Sequence, residues 1–102
     1  MAEHNKRLLT IITEALLERK LEDELHSLGV KGYTIVEARG RGHRGLREAS
    51  WDGGNNIRID VVCDHDTAEK VAQHLQENYY ADYAMVLFAS DVTVLRPDKF
   101  SG

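Results

Sequence analysis

The chain has 102 residues, one cysteine, 42% hydrophobic residues and a formal net charge of −4. That length makes a single domain over residues 1–102 with one modest core, and the composition is that of a globular chain, not a disordered one. No apolar run approaches the roughly 20 residues needed to cross a bilayer, and the first residues lack the apolar stretch and cleavage site of a signal peptide. The lone cysteine excludes an internal disulfide and a four-thiolate zinc site; a reducing cytoplasm is the expected compartment.

Leu8-Leu9-Thr10-Ile11-Ile12 is a nearly continuous apolar run, as expected of a buried central strand. Leu17, Leu21, Leu25 and Leu28 follow at helical spacing and make one apolar face, with Gly29 as the helix stop. Tyr33-Thr34-Ile35-Val36 is β-branched and aromatic, and predicts a second strand. Between Gly40 and Asn56 periodicity disappears; Gly40, Gly42, Gly45, Gly53 and Gly54 predict a loop that is long for so small a domain. Ile57, Ile59 and Val61 alternate with Arg58 and Asp60, a strand signal. Asp66 and Glu69 have the spacing of a capping box that opens a second helix, whose Ala68, Val71, Ala72 and Leu75 share a face. Ala84–Ala89 predicts a fourth strand, with Asp91–Leu95 extending it or forming a short edge strand, and Pro97 ends regular structure.

The expected order is β-α-β-β-α-β, the ferredoxin-like α+β pattern. Two helices cover one face of a four-stranded antiparallel sheet. The strands have no consistently polar side, so the second face also needs cover, which argues for an oligomer.

Charge is unevenly distributed. Arg39, Arg41, Arg44 and Arg47 lie in nine residues without an acid, while the rest of the chain is acidic. One basic glycine-rich segment on an acidic body points to a local anion site, not to a nucleic-acid surface, which needs a basic face. Arginine forks suit phosphate oxygens, and glycines let backbone amides approach the same anion. The competing reading is a solvated Arg/Gly loop without a ligand.

Several segments, in order from about Arg7 to Arg96, resemble the PII signalling superfamily. They are Thr13-Glu14 after the first strand, Gly29-Val30-Lys31-Gly32-Tyr33-Thr34 before the second, and Asn78-Tyr79-Tyr80-Ala81-Asp82-Tyr83-Ala84 before the fourth. The loop stretch Gly40-Arg41-Gly42-His43-Arg44-Gly45-Leu46-Arg47 is similar to the G-x-G-x-R-x-x-R of a PII-like branch tied to inorganic-carbon uptake, the SbtB-like and carboxysome-associated proteins. The resemblance implies a non-enzymatic homotrimer with no cofactor. It places adenine nucleotide in clefts between subunits, together with bicarbonate. It makes the 40–56 loop a T-loop that engages or releases a bicarbonate transporter or other carbon-uptake component, so that any membrane association runs through that protein. One departure matters. Members of the wider family carry a glycine-rich B-loop with a lysine between the second helix and the fourth strand; here that interval is Tyr79-Tyr80-Ala81-Asp82-Tyr83. AMP or ADP is therefore expected in preference to ATP.

By this resemblance the nucleotide-binding residues are Thr34, Gly40, Arg41, Gly42, His43, Arg44, Arg47, Val62 and Cys63. Thr34, Val62 and Cys63 would act largely through backbone groups, and simple packing is an equal alternative for each, above all for Cys63 after its apolar run. His43 inside the loop motif adds an anion contact that can respond to pH. Leu46 and Trp51 are candidate partner contacts, since a Trp on an extended loop is an efficient anchor; the alternative is a loop folded back onto its own subunit. His4, His26, His65 and His74 have no metal-ligand spacing. The rival functions are a CutA-like metal-binding trimer, an acylphosphatase-like hydrolase, for which Ser50 and Thr34 lack a base at a diagnostic spacing, and RNA binding, for which the strands lack paired stacking aromatics.

Overall fold

In the computed structural model, which describes residues 4–40 and 55–99, the elements run β1 (His4–Glu14), α1 (Glu18–Ser27), β2 (Thr34–Ala38), β3 (Asn56–Cys63), α2 (His65–Tyr79) and β4 (Val86–Val94). A 3₁₀ turn over Ala15–Leu17 joins β1 to α1, and another over Pro97–Lys99 follows β4. The strands form one sheet in the order β2-β3-β1-β4, antiparallel at every pairing. This is the expected βαββαβ order. β4 runs unbroken through Asp91–Val94, so that segment extends the fourth strand.

Strand alternation divides the sheet into two faces. Leu9 and Ile11 of β1 with Ile57, Ile59, Val61 and Cys63 of β3 are buried against the helices. From the 3₁₀ turn and α1 come Leu17, Leu21 and Leu25, and from α2 Ala68, Val71, Leu75 and Tyr79. Full burial of a side chain such as Leu21 or Val71 is worth about 1.5–3 kcal/mol.

The end of α1 explains Gly29. Gly29 N–H donates to His26 O at 3.1 Å and Val30 N–H to Leu25 O at 3.0 Å, a Schellman closure with Gly29 at φ 98°. Val30 and Leu25 are both buried, the apolar contact that accompanies this motif. The start of α2 corrects an expectation: the N-cap is Asp64 and Asp66 lies in the first turn. β3 ends at Cys63, so the chain turns into the helix two residues before the box pattern indicates.

A polar hub joins the helices on their outer side. The Glu24 carboxylate meets His74 Nε2 at 2.9 Å and accepts from the Tyr79 hydroxyl at 2.9 Å. Burial, reinforced by that hydrogen bond, pushes the Tyr79 phenol above its ordinary pKa. His74 is thus a half-buried bridge between helices. Among the described residues no group of three or more His, Cys, Asp or Glu side chains is placed to hold a metal, and no helix is long and apolar enough to cross a membrane.

The second sheet face has no layer over it among the described residues. Its rows follow from the register: Val36, Arg58, Ile12 and Val86 in one, Thr34, Asp60, Thr10 and Phe88 in the next. Val36, Val86 and Phe88 are 48%, 40% and 49% exposed, large apolar groups facing out on the side the helices leave open.

Candidate functional site

β2 is an edge strand. One edge pairs with β3 and the other has no described strand beside it within the protomer. Its outer N–H and C=O groups can therefore read a planar ligand with alternating donors and acceptors.

Thr34 opens this strand, exposed on the open face opposite Asp60. Val62, half-buried, lies one row further along β3 on the same face, beside Leu8. Cys63 points the other way: it is 2% exposed and belongs to the core. Burial pushes its thiol up to about 11, helped by the Asp64 charge and partly opposed by Lys6. Cys63 can then offer only its backbone to a ligand. These three residues share one end of the β2–β3 ladder, where Lys6 also pairs with Asp64.

Gly40 stands past the opposite end. The strand from Thr34 to Ala38 covers roughly 13 Å at about 3.3 Å per residue. Arg41, Gly42, His43, Arg44, Leu46, Arg47 and Trp51 lie outside the described residues, as does most of the 40–56 loop.

What is described at the loop's base is a cavity of about 450 Å³ lined by Ala15, Glu37, Ala38, Arg39, Asn55 and Asn56. It forms because Ala38 pairs with Asn56, which brings both loop stems together. Ala15 N–H donates to Asn55 O at 2.7 Å and fixes the end of β1 against the returning stem. The lining offers a guanidinium, a carboxylate and two carboxamides, which suits a polar ligand. The basic segment already includes Arg39, but nothing in the sequence pattern brings in the two asparagines; their signal is the hairpin closure, since residues on both stems of a strand–loop–strand unit must meet.

The interval between α2 and β4 lies at this same end of the sheet, where Val86 opposes Ile12. It is a tight turn, with Asp82 N–H and Tyr83 N–H both donating to Tyr79 O, at 3.1 and 2.9 Å. The Tyr79 and Tyr83 rings pack with centroids 5.7 Å apart. These amides are committed to the turn and these rings to the core.

An edge strand, a loop-stem cavity and a helix-backed sheet define a ferredoxin-like domain with a candidate ligand site at the base of its loop. The family model for nitrogen regulatory protein P-II matches residues 6–99. The chain therefore belongs to the PII family, whose members are non-enzymatic signalling regulators. A PII-like signalling protein of Thermus thermophilus is 41% identical, with 98% of this chain and 99% of that one covered and a TM-score of 0.82. CPII of Thiomonas intermedia, in a structure bound to ADP, AMP and acetate, is 27% identical over 100% of both chains, with a TM-score of 0.85. The same protein bound to ADP, AMP and bicarbonate is 28% identical over 99% of this chain and 98% of that one, with a TM-score of 0.83.

Proposed function

We propose that this protein binds AMP or ADP together with bicarbonate in clefts between the subunits of a homotrimer, and that occupancy of the cleft sets the conformation of the 40–56 loop. The observation that carries the reading is the full-length match to CPII, whose structures hold ADP, AMP and bicarbonate. Edge strand β2 and the loop-stem cavity agree with it. Thr34, Val62 and the Cys63 backbone would take the base, while Gly40, Arg41, Gly42, His43, Arg44 and Arg47 take the phosphate and the small anion. The loop, stiffened by ligand, would present Leu46 and Trp51 to a bicarbonate transporter or other carbon-uptake component, as in the SbtB-like and carboxysome-associated branch.

The trimer is the natural cover for the open sheet face. Val36, Val86 and Phe88 are exposed there, and an apolar face left by two helices needs a third layer or another copy. The turn between α2 and β4 has no glycine or lysine, so a triphosphate gains nothing there over a diphosphate. Light scattering and calorimetry on the intact protein test the reading. A trimer that takes up AMP or ADP at least as tightly as magnesium ATP, with bicarbonate altering the nucleotide affinity, is the expected result. A monomer at micromolar concentration, or a clear ATP preference, overturns it.

A further inference from the structure

The open sheet face is apolar at its borders and ionic at its centre. Arg58 and Asp60 lie two residues apart on β3, with the Arg58 Nε at 3.2 Å from both Asp60 oxygens. Thr10, fully buried, donates its hydroxyl to Asp60 at 2.7 Å. The carboxylate is thus held by a rigid donor on the neighbouring strand and by one edge of the guanidinium. Among the described residues only the Nε of that guanidinium is engaged, which leaves its two Nη groups for a partner beyond the sheet. Most side chains around the pair are apolar: Val36 and Ile12 beside Arg58, Phe88 beyond Thr10, and Leu8 and Val62 in the next row, with Thr34 opposite Asp60 on the edge strand. The other carboxylate on this face near the pair is Glu14, at the end of the row that holds Asn56.

A water-facing sheet has no use for Val36, Val86 and Phe88, and a face meant only for apolar packing has no use for a fixed Arg–Asp pair. The two together describe a face that is covered by something carrying both features. A second copy of this chain is the occupant that matches, because its own face supplies apolar rows and both signs of charge.

We propose that Arg58 and Asp60 set the register of this self-association, the Nη edge of Arg58 in one copy binding the Asp60 carboxylate of the next. This rests on the trimer reading above and deepens it. Ion pairs buried at interfaces select one arrangement by making the alternatives leave charges unpaired. Removing one partner strands the other charge in an apolar contact, whereas replacing both by apolar groups removes that penalty.

Sedimentation equilibrium on the full chain with Arg58→Met, Asp60→Asn and the double Arg58→Met/Asp60→Leu variant tests this, with circular dichroism reporting the fold of each. The expected result is that each single variant dissociates at protomer concentrations on the order of a hundredfold above wild type, and that the double variant reassociates. Asp60→Asn is nearly isosteric and keeps an oxygen for the Thr10 hydroxyl, so its folding is protected. Single variants that associate like wild type overturn the proposal, as does a folded double variant no more associated than the singles. A wild-type monomer would instead refute the trimer reading on which the proposal stands.

Discussion

Replacing Glu24 by Ala removes the carboxylate that joins α1 to α2. Two hydrogen bonds at 2.9 Å are lost, both accepted by the carboxylate, one from the Tyr79 hydroxyl and one from His74 Nε2. Tyr79 is 1% exposed, so water reaches its hydroxyl poorly once Glu24 is gone. An unsatisfied buried hydroxyl costs about 1–3 kcal/mol. The His74 contact is half-exposed and its loss is screened, worth about 0.5 kcal/mol. Together they predict about 2 kcal/mol of destabilisation for Glu24→Ala. Tyr79→Phe removes the stranded hydroxyl and keeps the ring against Tyr83, so it should cost about 1 kcal/mol. The double variant should then cost about 1 kcal/mol less than the sum, because the penalty in Glu24→Ala comes largely from that hydroxyl. Urea unfolding at one fixed protomer concentration measures all three, since assembly contributes to apparent stability. The sign with pH follows from the raised Tyr79 pKa. Its contribution is present below the unfolded value near 10 and is lost as pH rises above it. Tyr79→Phe should flatten that alkaline decline. A Glu24→Ala variant within about 0.5 kcal/mol of wild type, or strict additivity of the pair, refutes the reasoning.

Cys63, raised from 9.0 to about 11 by burial, should resist alkylation at about pH 8 until the protein unfolds. Its neutral form contributes stability below about pH 9 that is lost toward pH 11, at up to about 1.4 kcal/mol per pH unit; thiol trapping with and without urea checks the first point and a Cys63→Ala stability profile the second. Gly29→Ala should cost about 1 kcal/mol, because φ is 98° while an added Cβ meets nothing within 4 Å. Gly32→Ala has open space and no such backbone demand, and thermal melts should place it within about 0.5 kcal/mol of wild type. Hydrogen exchange should show protection rising around Gly40–Arg47 with saturating ADP and much less around Ser50–Gly54. Ordering each residue costs roughly 1–2 kcal/mol, against about 1.5–3 kcal/mol for each arginine contact, so a few contacts can order only the loop base; equal exchange in both states refutes the switch.

Local chemistry determined much of this protein. Leucines at helical spacing could bury only as one face of α1, and Gly29 could end that helix because it alone tolerates the left-handed closure. The alternation of Ile57, Ile59 and Val61 with Arg58 and Asp60 assigned β3 and its two faces. The βαββαβ order followed from these periods, and the ordered motifs carried the family. Tertiary structure decided what depends on residues distant in sequence. Asp64, not Asp66, stands at the N-cap position of α2, because β3 stays paired with β1 as far as Cys63 and the sheet sets where the chain can turn. His74 became a bridge only once α1 brought Glu24 beside it, a meeting across 50 residues that no local pattern encodes. Arg39, Asn55 and Asn56 met around one cavity because strand pairing closes the loop's stems. Periodicity reports which face of an element is apolar; only packing decides which neighbours those faces and the polar groups between them will meet.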